Sequence, residues 1–423
     1  MATKSTRNIY VFADWTNNSE PVFMGTLTAT PVRGNEIFSF EYADIWLEKQ
    51  SAIILDPNLG FYQGRQFLND GKSNFGLFLD SSPDRWGRVL MDRREAALAR
   101  KEKRKEVSLL ETDYLLGVFD GHRIGGIRFK TDIEGNFLND NKEMASPPWT
   151  TLKELEYASL QLENDDAISQ PDYLKWLSLL IFPGSSLGGA RPKAGVLDEQ
   201  NALWIAKFPS LKDDKDSGAW EMVVHDMAKV CGIEVPKARL ERLNRVHHTF
   251  LTKRFDRNKK QRIHYASAMT LLGYKDGDNY KTGISYLELS EIISRYGASP
   301  KTDLEQLWRR IVFNICVSNT DDHLRNHGFL LTDNGWKLSP AFDMNPNEKG
   351  NGLTLNISEK DNALDLDIAM DVAVYFGLSK TTSSYIIDSI TTEVSKWNVY
   401  AKKYNIPSSE RDLMKKAFSH FKK

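Results

Sequence analysis

Residues 318–347 read SNTDDHLRNHGFLLTDNGWKLSPAFDMNPN. Gly328–Thr332 and Trp336–Ser339 have the make-up of two short strands, and Asp333-Asn334-Gly335 between them is turn chemistry. Antiparallel pairing of the two brings the residues before Gly328 back beside those after Pro340. Asp321, His323, Asn326 and Asp343 therefore flank one hairpin, and Asn326 and Asp343 are expected to lie near each other.

These residue types in this order suit phosphoryl transfer, which needs a carboxylate to orient and deprotonate a hydroxyl and oxygen ligands for magnesium beside it. Protein kinases use Asp-x-x-x-x-Asn, a hairpin and then a metal-binding Asp, and Asp321, Asn326 and Asp343 repeat that order. Two alternatives stand beside this reading. Asp and Asn are also ordinary turn formers. His323 and His327, four apart, would face one ion if helical, although Gly328 ends any helix there.

The remaining sequence supplies a frame for that chemistry. A chain of 423 residues is long enough for two or three domains, and its net charge of −1 offers no global field for nucleic acid. Cys231 and Cys316 sit in apolar helical patterns, as small buried residues of a reducing compartment do. The N-terminus has no apolar signal core, and the longest apolar runs are too short to span a bilayer, so a cytoplasmic location without membrane contact is expected. Asn8–Asp14, Pro21–Ala29 and Ile37–Tyr42 read as strands, and a helix starts at Pro83. The charge run ARKEKRKE reads as a solvated helix face or linker. Leu115–Phe129 reads as turn and strand, and Asn, Asp, Ser and Pro mark a boundary within 139–150.

Helical patterns over Leu152–Leu162 and Tyr173–Ile181 lead into PGSSLGGARPK, residues 183–193. Loops this rich in Gly and Ser let backbone N–H groups approach phosphate oxygens, although GxxxxGK[ST] is absent and a plain flexible loop is the alternative. Ala194–Leu197 and Leu203–Phe208 then read as paired strands. Alternation puts Leu203, Ile205 and Lys207 on one face. A lysine there either reaches into a cleft to pair nucleotide phosphates or snorkels to water. The helix Trp220–Cys231 follows, with Gly232 as its cap, and Glu221 either pairs Lys207 or meets the helix dipole. Thr249–Phe255 is a further strand, and Phe255 is a candidate ring beside adenine. Leu304–Ser318 is an amphipathic helix on the stripe Leu304, Leu307, Ile311, Ile315, and Ile386 to Ala401 carry another core-facing stripe. Glycine loop, lysine strand, helix with an early Glu, linker strand, helix, Asp-x4-Asn, hairpin and Asp together predict an α+β, two-lobed protein-kinase-like fold.

Along nearly its whole length the chain resembles the HipA-like serine/threonine kinases, the toxin halves of bacterial toxin–antitoxin pairs. The resemblance is carried by SSLGGARPKAGVL, WIAKFP, GIEVP, KRFDR, NTDDHLRN and LSPAFDM. It implies a β-rich N-terminal subdomain over 1–130, a kinase N-lobe over 150–255 and an all-helical C-lobe over 256–423. It also implies ATP and Mg2+ as cofactors. Asp321 matches the catalytic base, and Asn326 and Asp343 the magnesium ligands. Lys207 matches the phosphate-binding lysine. Gly188, Gly189, Ala190, Arg191, Pro192 and Lys193 match the phosphate loop. Lys253, Arg254 and Phe255 match the adenine segment, His323 belongs with the nucleotide-binding residues, and Ser186 matches an autophosphorylated serine, with Ser185 beside it. Members are typically held by a small helix-turn-helix, HipB-like antitoxin that binds operator DNA, so DNA is an indirect partner. Characterised members phosphorylate aminoacyl-tRNA synthetases and so inhibit translation. The sequence departs from the best-known members at Arg191-Pro192 (Gln-Glu there), Lys253 (acidic there) and Asp322 (glycine there). A kinase of small molecules and a catalytically silent partner of a repressor are the competing readings.

Overall fold

Alternating apolar residues build the sheet at the start of the chain. In the computed structural model, which describes residues 5–15, 20–49, 53–68, 71–140, 148–184, 191–243, 247–259 and 261–420, the strands are β1 (Arg7–Ala13), β2 (Val22–Val32), β3 (Asn35–Tyr42), β4 (Gln66–Phe67) and β5 (Ile127–Lys130). They form one antiparallel sheet in the order β4-β3-β2-β1-β5. Ile9 pairs with Leu27 and Leu27 with Phe40, so one row of side chains crosses three strands, and all three are fully buried. The register shifts at Val11/Phe12, opposite Gly25. A Cβ on Gly25 would stand 2.3 Å from the Glu41 carbonyl oxygen, so only glycine permits this close approach of backbones.

The chain divides into two compact units, Met1–Leu211 with Asp256–Ala266, and Lys212–Phe255 with Ser267–Lys423. The first holds the sheet, the helix Arg85–Lys101, and the helices Leu152–Leu162 and Tyr173–Gly184, which pack on each other. The helix starting after Pro83 is capped by Asp84, whose carboxylate accepts the Arg85 N–H. It runs into the charge cluster, with Arg100 and Lys101 in its last turn where the helix dipole favours cations. The turn-and-strand reading of Leu115–Phe129 is corrected at its start, where Leu115–Gly117 ends the helix Glu111–Gly117, begun by the Asp113 carboxylate accepting the Leu110 N–H. A short apolar run such as YLLGVF does not itself distinguish helix from strand. Further on, β6 (Lys193–Leu197) and β7 (Leu203–Lys207) form an antiparallel hairpin. Asp198 ties its turn by accepting the N–H groups of Gln200 and Ala202 and the Trp204 indole.

In the second unit Asp216 caps the helix Ser217–Val230 through the Ala219 N–H, three residues ahead of the expected start, and Gly232 follows in the left-handed conformation. β8 (Ala238–Glu241) pairs with β9 (Thr249–Lys253). The helix Pro300–Val317 is the core of the unit. Beyond the predicted stripe it also buries Trp308, Val312, Phe313, Cys316 and Val317, and the Trp308 indole finds the Ala369 carbonyl at 2.9 Å. It starts four residues early because Pro300 occupies its first turn. Against it pack Tyr286–Tyr296, Leu366–Val372 and Lys380–Val394, while Trp397–Lys403 packs on the helix Ser217–Val230. The C-terminal stripe is thus split over two helices, with Ile386, Ile390, Val394 and Ala401 fully buried and Trp397 stacked on Phe418. The region after residue 256 is not all helical: Gly328–Thr332 and Gly335–Leu338 form the antiparallel hairpin that the Asp-Asn-Gly turn dictates. The protein is a mixed α/β chain with several antiparallel sheets. Among the described residues no helix is long and apolar enough to cross a membrane.

Candidate active site

The loop carrying Asp321 begins where the helix Pro300–Val317 is stopped. Ser318 adopts the left-handed conformation (φ 52°), is fully buried, and donates its hydroxyl to the Ala417 carbonyl at 2.7 Å. From there the chain is stitched to the segment that follows the hairpin. The Asn319 side-chain oxygen accepts the Asn345 N–H at 3.1 Å, and Asn347 donates its N–H to the Ser318 carbonyl at 3.1 Å and its amide to Thr320 Oγ1 at 2.8 Å. The hairpin closes between the two segments, with Ser339 N–H on the Gly328 carbonyl at 2.8 Å. Residues 318–320 and 345–347 are therefore held together, next to Asp321 on one side and Asp343 on the other.

The Asp321 loop is fastened on itself. The Asp321 carbonyl accepts the His323 N–H at 2.9 Å and the Asn326 side-chain amide at 3.0 Å, and Asn326 N–H reaches the His323 carbonyl at 2.8 Å. Because a carbonyl only accepts, the Asn326 NH2 is the group facing it, which leaves the amide oxygen for a cation or another donor. Asn326 is buried, while Asp321 is exposed. Asp343 is half-buried in the left-handed conformation (φ 58°), and its carboxylate accepts the Asn345 amide at 3.3 Å. Such a backbone is costly for a residue with a Cβ and recurs at functional positions.

One carboxylate and one amide oxygen suit magnesium, which keeps several waters and takes further oxygens from phosphate. Among the described residues no group of three or more His, Cys, Asp or Glu side chains is placed to hold a metal. The His323/His327 alternative needed a helix, but Leu324–Asn326 is a single 3-10 turn; His327 is buried, with Nε2 2.8 Å from the Asp322 carboxylate and Nδ1 without a hydrogen-bond partner among the described residues. His323 Nδ1 is buried without a hydrogen-bond partner among the described residues.

The sequence marks Asp322 only as a departure from the family pattern and gives no sign of its burial. Burial alone would raise its pKa, but the charge and hydrogen bond of His327, the Tyr286 hydroxyl and the charge of His323 outweigh it and hold the carboxyl below its ordinary range. Its neighbours in space, Tyr286, Asn314 and His327, come from three separate elements, and no local spacing links them.

The candidate adenine segment lies in the same unit. Lys253 ends β9 and donates its N–H to the Lys237 carbonyl at 2.8 Å, and Arg254 is buried. The Phe255 ring packs 5.5 Å from Phe342, the residue before Asp343. Ala341, one residue earlier, donates its N–H to the Glu234 carbonyl at 2.8 Å, which ties LSPAFDM to GIEVP. Phe342 was not singled out from the sequence, where only its place before Asp343 marks it.

Lys207 and Lys193 belong to the other unit. Strand alternation holds as expected: Trp204 and Ala206 are buried, while Leu203, Ile205 and Lys207 form a half-buried face. The register sets Lys193 directly opposite Lys207, so both side chains leave the same face, with Lys193 4% exposed. Arg191 is half-buried, and the buried Pro192 offers its carbonyl to the Phe208 N–H at 2.9 Å. Gly188, Gly189, Ala190, Ser185 and Ser186 lie outside the described residues. Glu221 is buried on the helix Ser217–Val230 of the second unit.

A chain with this hairpin-closed Asp-x4-Asn loop matches the family described as HipA-like C-terminal domain over residues 185–397. The protein belongs to that family. Over 148 residues it is 29% identical to "Putative kinase Y4mE" of Sinorhizobium fredii, covering 33% of each chain. Over 179 residues it is 26% identical to a "Putative kinase" of Haemophilus influenzae, covering 38% of this chain and 52% of that one. The chain thus spans a third to about half the length of these curated relatives. Among solved structures it resembles a chain of the Shewanella oneidensis MR-1 toxin–antitoxin complex of HipA, HipB and operator DNA. The TM-score is 0.62 and the identity 15%, over 98% of this chain and 95% of that one. At that identity the likeness is one of fold.

Proposed function

We propose that the protein is an ATP- and Mg2+-dependent serine/threonine protein kinase of two-lobed, kinase-like arrangement. Its parts would be a β-rich subdomain over 1–130, an N-lobe over 150–255 and a C-lobe over 256–423. The observation that carries the reading is the stitching of residues 318–320 to 345–347, which ties the Asp321–Asn326 loop to the segment of Asp343. Asp321, exposed at the loop surface, accepts the proton of the acceptor hydroxyl as the oxygen attacks the γ-phosphorus and ADP leaves. The Asn326 amide oxygen and the Asp343 carboxylate would hold magnesium, which would supply charge neutralisation on the phosphates. Lys207 and Lys193, side by side on one face, bind phosphate oxygens together with the loop 188–193. Phe255 and Phe342 supply an apolar wall for adenine, with Lys253 and Arg254 beside it.

Membership of the HipA-like family and the fold likeness to a HipA–HipB–operator complex support a toxin–antitoxin role. In that role a HipB-like helix-turn-helix protein holds the chain, and a translation component such as an aminoacyl-tRNA synthetase is the substrate. Ser186 is proposed as the site of self-phosphorylation. The test is incubation of the purified protein with Mg2+ and γ-labelled ATP beside Asp321→Asn, with label located by mass spectrometry. Label on wild type that is absent from Asp321→Asn is the expected result. Equal label on both overturns the assignment of Asp321, and no label on wild type with label on a small-molecule acceptor moves the substrate class.

A further inference from the structure

Asp321 and Asn326 are each followed by a residue that turns inward, and those two residues meet. Asp322 accepts a hydrogen bond from His327 Nε2 at 2.8 Å. The same carboxylate oxygen accepts the Tyr286 hydroxyl and, at 2.7 Å, the Asn314 amide. All four side chains are 4% exposed or less. The His327 ring meets Tyr286 edge-on at 5.6 Å, and its carbonyl accepts the Ala268 N–H at 2.8 Å. Asn314 belongs to the helix Pro300–Val317 and Tyr286 to the helix Tyr286–Tyr296, so the two ends of the loop are anchored to two helices through one oxygen.

Stability alone does not account for this arrangement. A buried charge pair gains little over well-packed apolar side chains of the same volume. What it adds is direction, because three donors of fixed geometry leave the carboxylate one position. We infer that Asp322 and His327 are a positioning pair for phosphoryl transfer: their buried hydrogen bond sets the separation and orientation of Asp321 and Asn326. The inference rests on the roles proposed above for those two residues. Neither Asp322 nor His327 touches substrate; each acts through the residue before it.

The test compares three substitutions with Asp321→Asn in the full chain. His327→Leu removes the bond to Asp322 and fills the space. His327→Gln returns an N–H donor at similar reach. Tyr286→Phe removes a different donor from the same oxygen and leaves the clasp closed. A misplacement of about 1 Å at a reacting group costs about a hundredfold in rate. His327→Leu is therefore expected to lower kcat for label transfer by about that factor, with the KM for ATP changed less than about twofold. His327→Gln recovers most of the loss, and Tyr286→Phe keeps kcat near wild type even where its melting temperature falls. A readout independent of turnover is the side-chain 15N–1H signal of His327 at one fixed pH. The hydrogen-bonded Nε2 proton is expected in wild type and Tyr286→Phe and absent in Asp322→Ala, which has no acceptor there. Wild-type kcat in His327→Leu, or losses in all three variants that merely follow their folded fraction, overturns the positioning role. If Asp321→Asn itself keeps full turnover, it is the proposed site that fails, and the inference fails with it.

Discussion

Asp322→Ala tests the buried network as a structural feature, without reference to any activity. The substitution strands three donors on the now absent oxygen: the Tyr286 hydroxyl, the Asn314 amide and His327 Nε2. Each buried donor left unpaired costs about 1–3 kcal/mol. Simple addition gives roughly 3–9 kcal/mol, an overcount because the three groups share one site and relax toward one another. Removing one partner of a buried charge pair costs about 3–5 kcal/mol, and about 4 kcal/mol is the figure we adopt. Against a total of about 5–15 kcal/mol for a domain, that loss is large. Urea unfolding at pH 7, followed by fluorescence of the buried Trp308 and Trp336 of the same unit, reads it directly. With a slope of about 2 kcal/mol/M the midpoint falls by about 2 M. A fall of less than about 0.5 M would refute the reasoning and reduce the network to interchangeable polar packing.

Asp343→Ala is expected to lose the magnesium enhancement of nucleotide binding, because few protein ligands remain once one carboxylate is gone; titration of ATP with and without magnesium reads it, and an intact enhancement excludes Asp343 as a ligand. Lys207→Ala is expected to weaken ATP binding more than folding, since phosphate charge loses its partner; a large drop in melting temperature with a fully active folded fraction would make the lysine structural. The third concerns acid. Burial pushes the Asp216 carboxyl up, but hydrogen bonds from His248 and from the N–H groups of His248 and Ala219 hold it below its ordinary 3.8. Its folded pKa is thus the lower one, so its stabilisation is present above about pH 4 and is lost as pH falls through the folded value. Asp216→Asn is expected to be less stable than wild type at pH 7, with the gap narrowing below about pH 4; a gap independent of pH down to full acid unfolding rules this out.

Much of the fold was legible because its cues are local. Asp333-Asn334-Gly335 fixes a turn, and the strands pair around it with Thr332 opposite Gly335. The second strand starts one residue earlier than its apolar pattern suggests, since Gly335 (φ 120°) itself takes part in the ladder. The helix Pro300–Val317 was found from its apolar stripe, yet its first turn was not. Pro300 continues the stripe's face but is not an apolar helix former, and Asp303, off the stripe, instead receives the Leu338 N–H of the hairpin at 3.0 Å. That contact joins residues 35 apart and leaves no mark in either segment alone. The correction at Leu115–Gly117 has the opposite cause: an apolar run was visible, but the Asp113 hydrogen bond that starts the helix four residues earlier was not.

The candidate site divides along the same line. Asp321, Asn326 and Asp343 announce themselves by order and spacing, because the chemistry proposed for them needs those side chains in that sequence. Asp322 and His327 do not, since a second Asp after Asp321 and a second His after Asn326 look like solvated repeats of their neighbours. Only the backbone turns within the loop reveal that the neighbours Asp321 and Asp322 face opposite ways. Asp321 is left exposed while Asp322 is fully enclosed. A polar run in sequence thus resolves into an exposed Asp321, to which the proposed proton transfer belongs, and a buried pair, Asp322 and His327, that meets two helix-borne donors, Tyr286 and Asn314. The buried pair is dispensable to any motif and, on the energetic argument above, not dispensable to the fold.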